Sequence, residues 1–383
     1  MSKSKEAKYQ VGVIGCGRKG TEYARAYHLH PLTEVVAAAD SDPENLELFC
    51  RRFNLEKGYN NYREMLRREK IDIASVILPV KPNPEAVLDC ALSGVQAIGC
   101  EKPIAASLAE ADRMVEVCRD RGVKFACGDL ERNFPQYWKA KQIIDSGELG
   151  AVQGITVTQG SGTQMSGGGC QIFSLIRLFA NDVEVAWVTG WVTGDPMSDC
   201  DQGVAGYIRF TNGIEAFIHR QNNAKHGFEV LCSRGVFFSD GAFPHMRKIK
   251  EGVERPMWSN LEKMKGLFSE TKALHEGFGK MDEEGWEYGG PRQHATIQSI
   301  VDALEMDIEP RSNGDNGRKV LEMAIALRES HRRGHAPVQL PLVDRSLRII
   351  PLPGRWLNKK EVYGREWYAK EIGRYNKQQL GKP

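Results

Sequence analysis

The feature that most constrains this chain is a glycine series near its start. Gly15-Cys16-Gly17-Arg18-Lys19-Gly20 follows the apolar run Val11 to Ile14 and leads into a segment with apolar positions at Tyr23, Ala26 and Tyr27. In a strand, turn and helix of this pattern the first glycine allows a tight turn. The second lets backbone approach a pyrophosphate, and the third lets helix and strand pack with no side chain between them. Free N–H groups and the dipole at the helix start then favour the phosphate charge. Asp40, twenty residues after Gly20, closes the next apolar run, Val35 to Ala39. A carboxylate there accepts hydrogen bonds from the adenosine ribose hydroxyls and repels a 2′-phosphate. The series predicts a dinucleotide site that takes NAD in preference to NADP. Arg18, Lys19, Arg51 and Arg52 are the residues that keep NADP possible.

The surrounding pattern predicts a parallel α/β sheet, with further runs at Ile73 to Leu78, Val95 to Cys100 and Val123 to Cys127. Ser107-Leu-Ala-Glu110 reads as a capping box opening a helix that stops before Gly122. A helix over Pro135 to Ser146 ends at Gly147, and the character then changes. From about Ala151 to Asp240 apolar and polar residues alternate, as in Tyr207-Ile-Arg-Phe and Ile214-Glu-Ala-Phe-Ile-His, and Asn212-Gly213 between them predicts a type I′ hairpin. Lys248 to Gly290 shows no clear period. Helices over Pro291 to Leu304 and Gly314 to Ser330 follow. The expected architecture is an α/β Rossmann domain over residues 1–130, then an α+β domain with a mostly antiparallel open sheet over 131–342, bearing substrate and oligomer contacts. A C-terminal aromatic-rich extension over 343–383 reads as a strap packed on its own protein or on a sister subunit.

Composition narrows the function classes. Lys and Arg total 52 against 50 for Asp and Glu, so no electrostatic footprint for nucleic acid is expected. No apolar stretch approaches the ~18 residues of a membrane span, and Met1 to Gln10 carries no apolar signal core. The nine cysteines are scattered with no C-x-x-C pair, which argues against a zinc site or disulfide framework and for a cytoplasmic setting. A small molecule is the expected partner.

Glu101-Lys102-Pro103 directly follows the run Val95 to Cys100. Ligands of open α/β sheets bind outside the carboxyl ends of strands, so Lys102 is aimed at the nicotinamide end of the crevice. There a lysine can hydrogen-bond a substrate hydroxyl and take part in proton transfer. Taken alone, Glu-Lys-Pro also reads as a surface turn. Arg132 and Gln164 are candidates to reach substrate hydroxyls, and Glu131, Asp199, Asp201, Tyr207 and His219 are candidate second acid/base groups. His294 can cap a helix or touch substrate.

The glycine series, the strand-ending Asp40, Glu101-Lys102-Pro103, Ala91-Leu-Ser-Gly94, Gly147-Glu-Leu-Gly150 and the closing Pro337-Val-Gln-Leu-Pro341, in this order, resemble the Gfo/Idh/MocA oxidoreductase family over roughly residues 8–345. The resemblance implies an NAD(P)-dependent enzyme of sugars, sugar derivatives or cyclitols, and a homo-oligomer formed through the antiparallel sheet and tail. It implies cofactor contacts from Ser41, Pro79, Asn83 and Glu101 beside those of the glycine series, Asp40 and Lys102. It also exposes departures. Where the family carries Asp-x-x-x-His at the start of its second domain, this chain has Gly167 and Gln171. Asn83 stands where the loop after Ile73 to Leu78 often has a histidine, and Ser174 where many members have an acid. Gln171 can position a hydroxyl but does not titrate. Lys102 is therefore the expected acid/base of a dehydrogenase or reductase that moves hydride between a carbinol or keto carbon and the nicotinamide. Two other readings stay open: a non-catalytic NAD-binding sugar sensor, and a glycosidase that oxidises C3 transiently to allow elimination.

Overall fold

The computed structural model describes residues 9–128, 130–160, 164–221, 227–239, 244–250, 253–259 and 290–370. The first unit runs β1 (Tyr9–Ile14), α1 (Arg18–Leu29), β2 (Thr33–Ala39), α2 (Pro43–Phe53), β3 (Gly58–Tyr59), α3 (Tyr62–Arg68), β4 (Ile73–Val76), α4 (Asn83–Leu92), β5 (Ala97–Cys100), α5 (Leu108–Asp120) and β6 (Lys124–Cys127). Its strands pair in the order β3-β2-β1-β4-β5-β6, every pair parallel. The order reverses beside β1, so the crevice opens over the C-terminal ends of β1 and β4. Central strands here are apolar on both faces because helices cover both: β4 and β5 are buried at every position. Two-residue β3 has too little apolar pattern to be read from sequence. The capping box at Ser107 and Glu110 forms in full and starts α5.

After α6 (Leu130–Asn133) and α7 (Pro135–Asp145) the chain enters a second sheet: β7 (Val152–Gly160), a π-helical turn at Met165–Gly169, α8 (Cys170–Phe179), β8 (Val185–Val192), β9 (Val204–Phe210), β10 (Glu215–Gln221), β11 (Gly227–Cys232), β12 (Gly235–Ser239), β13 (Pro244–Lys250) and β14 (Val253–Ser259). Among the described residues its order is β14-β13-β12-β11-β7-β10-β9-β8-β15, with β15 at Val338–Gln339, and only β7 and β10 run parallel. Alternation gives this sheet its two faces. In β11, Phe228, Val230 and Cys232 point into the core while Glu229 and Leu231 face outward. Phe179 of α8 stacks on Phe237 of β12 at 5.1 Å and so ties helix to sheet.

Two expectations change. The Asn212-Gly213 hairpin exists, but Gly213 alone has positive φ (+87°), and its N–H donates to Phe210 O at 3.1 Å while Phe210 N–H donates to Ile214 O. That is a turn closed by a left-handed glycine, not type I′, which needs positive φ at both central residues. Asn212 keeps negative φ because its side chain is engaged, accepting from Ile214 N–H and donating to Ala180 O. Within the stretch that lacked a readable period lie the end of β13 and all of β14; residues 260–289 fall outside the described residues.

The chain then returns to the first sheet. α9 (Gly290–Met306) buries Ile297, Ile300 and Val301 among Tyr9, Val11, Val13 and Tyr27. α10 (Gly314–Arg332) lies on the second sheet, and its buried Leu321, Ala324 and Leu327 join that core. The tail carries α11 (Pro353–Trp356) and α12 (Lys359–Tyr363), and up to residue 370 it packs on its own chain. Leu108 N–H donates to Leu347 O, Val80 N–H to Arg355 O and Lys81 N–H to Trp356 O. No helix among the described residues is long and apolar enough to cross a membrane.

Candidate functional site

The crevice has a phosphate end built from one continuous stretch. Gly15 turns the chain at φ +97°, where a Cβ would sit 2.3 Å from Ile77 O, and a Cβ on Gly20 would sit 1.8 Å from Gly15 O. No other residue fits either position. Gly17 caps α1 without any side-chain bond, which leaves the first-turn N–H groups to a ligand. Asp40 lies against this turn: its carboxylate accepts from Cys16 N–H at 2.7 Å and Asp42 N–H at 2.8 Å. Burial raises Asp40 above the usual carboxylate range, and the two amide bonds pull against that shift. Burial, and then the Asp40 charge, push the Cys16 thiol far up, so it contributes backbone and not a thiolate. Lys19 and Arg18 are both drawn back to Glu22, at 2.5 and 3.6 Å. Ser41 is exposed at the rim, and Pro79 is half-buried beyond β4.

At the other end lies Lys102. Gly128 holds its segment, since a Cβ there would be 3.0 Å from Cys100 O and 3.2 Å from Lys102 N. Asn83 holds the same segment from below, its buried amide donating to Ile104 O at 2.9 Å. Lys102 Nζ crosses to the second unit and donates to Ser166 O at 3.3 Å. That carbonyl sits in the π-helical turn, which Asp201 pins by accepting from Met165 N–H at 2.9 Å and Ser166 N–H at 2.6 Å. Gln164 caps the turn and Gln171 follows it in the first turn of α8. From the tail, Arg355 Nη1 donates to the same Ser166 O at 2.8 Å.

Buried side-chain atoms with no partner lie here, Asn83 Oδ1 and Gln171 Oε1, while the Glu101 carboxylate faces the buried Tyr23 hydroxyl. Buried polar atoms are nearly always bonded, and spare acceptors along a crevice are what a ligand would satisfy. The open cap at Gly17, the Asp40 carboxylate and these acceptors fit a dinucleotide laid from α1 to Lys102.

The sequence over residues 9–129 matches the GFO_IDH_MocA model, an oxidoreductase family with an NAD-binding Rossmann fold. Over residues 9–129 the chain therefore carries the NAD-binding Rossmann domain of this oxidoreductase family. It is 26% identical over 252 residues to a myo-inositol 2-dehydrogenase of Thermotoga maritima, covering 60% of this chain and 75% of that one. It is 27% identical over 255 residues to a scyllo-inositol 2-dehydrogenase (NAD(+)) of Bacillus subtilis, covering 61% and 74%. A levoglucosan dehydrogenase solved with NADH and levoglucosan shares the fold, with a TM-score of 0.72 and 19% identity over 87% of this chain and 100% of that one. The first unit is thus an NAD-binding oxidoreductase domain, and the relatives that align with it beyond that domain act on cyclitols.

Several candidates lie elsewhere. Arg132 is buried with each of its three guanidinium nitrogens engaged within the protein, by Arg311 O, Ser174 O and Asp182, and it serves packing between segments. Ser174 is fully buried and accepts from Asn316 at 2.7 Å, a core contact in place of the expected pocket position. Asp199 is tied to Arg328, Arg332 and Arg348; although burial opposes it, these partners hold its carboxyl low. His219 stacks on Phe217 at 5.8 Å, and Tyr207 packs on Trp187, on the outer side of the second sheet. His294 is buried in α9. Sequence reasoning missed Gly128, Ser166 and Arg355. Gly128 carried a signal, a glycine straight after a strand; a backbone carbonyl and a distant tail arginine carried none.

Proposed function

We propose that the protein is an NAD-dependent dehydrogenase or reductase of a polyhydroxylated small molecule, with Lys102 as its acid/base. The observation that carries this reading is the reach of Lys102 Nζ from the end of β5 across the crevice to Ser166 O. A substrate hydroxyl replacing that weak 3.3 Å contact meets the Lys102 nitrogen held between the two units. Bound NAD supplies the hydride acceptor or donor. Lys102, as the amine, takes the hydroxyl proton in oxidation and returns it in reduction. Gln171, with its spare buried acceptor, orients a neighbouring hydroxyl without exchanging its proton. Asp40 favours NAD over NADP.

The domain limits at 130 and 342 and a cytoplasmic setting belong to the same reading. So does a homo-oligomer formed through the outer face of the second sheet, where Trp191, Phe217 and Leu231 are exposed. The test is absorbance at 340 nm with NAD and a polyol panel. Lys102→Ala is expected to lower kcat/KM by roughly 10²- to 10⁴-fold while NADH still binds. Wild-type turnover by the variant would remove Lys102 from the chemistry. Aglycone release without net NADH would point to the glycosidase reading, and sugar binding without either signal to a sensor.

A further inference from the structure

We infer that Arg355, delivered by the C-terminal strap, is a carboxylate-binding residue, and that the substrate is a sugar acid whose carboxylate lies close to the reacting carbinol. The inference deepens the oxidoreductase reading and rests on it for the identity of the reacting group. Its geometry is independent of that reading.

Arg355 occupies space that Gly167 leaves open. A Cβ on Gly167 would stand 3.2 Å from Arg355 Nη2, so the guanidinium lies where a side chain at 167 would project. The resemblance places an aspartate at that position and a histidine at Gln171. This chain has a permanent cation and a neutral amide in their place, and the sign of the pocket is reversed. Arg355 and Lys102 both donate to Ser166 O. Two donors that share one acceptor stand no more than roughly 6 Å apart. At that spacing Lys102 can hold the reacting hydroxyl while the guanidinium holds a carboxylate on the same or a nearby carbon. The planar fork of arginine matches a carboxylate with two parallel hydrogen bonds, which an ammonium cannot do.

Arg355 is exposed, and no carboxylate among the described residues pairs with it. The nearest acid of the turn, Asp201, is already taken up by Met165 and Ser166 N–H groups. The backbone that carries Arg355 is nevertheless fixed. Val80 N–H donates to its carbonyl at 3.0 Å, and Lys81 N–H donates to Trp356 O. Further along, Lys360 anchors the strap to Asp42 at 2.6 Å and Glu44 at 2.9 Å. A charge held on fixed backbone beside Ser166, with no carboxylate partner among the described residues, is placed to take an anion from a ligand.

The test uses the full-length protein saturated with NAD. Calorimetry measures binding of D-galacturonate, D-gluconate and D-glucarate against D-galactose, D-glucitol and D-galactose 6-phosphate, for wild type, Arg355→Gln and Arg355→Lys; turnover at 340 nm is followed in parallel. At least one acid should bind wild type at least tenfold more tightly than its neutral counterpart. That preference should fall roughly 10- to 100-fold in Arg355→Gln, and Arg355→Lys should recover only part of it. Arg355 lies on the surface, so Arg355→Gln is expected to fold, and its melting temperature checks this. The inference is overturned if no acid is preferred, if the phosphate is preferred to every acid, or if Arg355→Gln weakens acid and neutral ligands equally. Acid binding that depends on Arg355 without any turnover keeps the inference and removes the oxidoreductase reading. Turnover of neutral polyols with no preference for acids does the reverse.

Discussion

The two ends of the crevice are built on opposite principles. The phosphate end comes from one stretch, Gly15 to Gly20, with the Asp40 carboxylate set against it, and that stretch contributes backbone: a positive φ, an uncapped helix start and the Cys16 amide that Asp40 accepts from. The reacting end is assembled from three separated segments, around Lys102, around Ser166 and Gln171, and around Arg355, and the side chains of Lys102 and Arg355 converge on one carbonyl. The first kind of site tolerates almost no change in residue type, because sterics fix it. The second can change its chemistry one side chain at a time while the fold stays intact, as Gly167 and Gln171 illustrate.

The contrast breaks most sharply at Gly20. Gly20→Ala places a Cβ 1.8 Å from Gly15 O, a clash with backbone that no rotamer relieves. The expected outcome is loss of measurable NADH binding by fluorescence titration and destabilisation of about 3 kcal/mol by urea unfolding. Undiminished binding would mean that the turn can open, and that the phosphate end is not sterically fixed.

The next effect concerns the back of α1. Burial pushes His294 down to about 4, with His30 and Arg25 adding to the shift. The folded site refuses a proton that the unfolded chain accepts below its ordinary value of 6.5. Stability is therefore flat above that pH for this group and falls as pH drops from about 6.5 towards 4, by up to about 3 kcal/mol. His30 is depressed by burial in the same sense and adds to the slope. Urea unfolding of His294→Gln across that window should show a shallower loss than wild type. Parallel curves would show that His294 protonates freely in the folded protein.

What was legible follows from the same contrast. The strands of the first sheet, the glycine turn and the Ser107 box are local patterns whose partners lie within a few residues, so the sequence carries them openly. Lys102 was legible because a strand end points it at the crevice. Arg132 and Ser174 misled, since a polar residue beside a pocket helix reads the same whether its partner is a substrate or a distant Asp182 or Asn316. Arg355 was illegible because nothing near Pro353-Gly-Arg-Trp indicates that the strap returns to Val80 and Ser166. Tertiary closure over such a distance leaves no local period.

Cofactor choice gives a smaller test. Asp40→Asn keeps one acceptor for Cys16 N–H but removes the charge that excludes a 2′-phosphate. KM for NAD should rise about tenfold, in keeping with the loss of a charged hydrogen bond, and NADP should become usable. Unchanged discrimination would move the selectivity to Arg18 and Lys19, which Glu22 now holds.

The smallest expected effect separates support from chemistry at the reacting end. Ser107 accepts from Glu110 N–H at 3.3 Å while Glu110 reaches back to Ser107 N–H at 3.1 Å, and this box starts α5 five residues after Lys102. The strap also bridges there, through Ser107 and Arg348. Ser107→Ala removes the cap and should cost about 1 kcal/mol of stability. Because Lys102 is held by Gly128 and Asn83 and not by the box, kcat should stay within about twofold of wild type, well inside the loss expected from removing an acid/base group. A large fall in kcat at constant KM would show that the box positions Lys102, and that the reacting end too depends on backbone built from one continuous stretch.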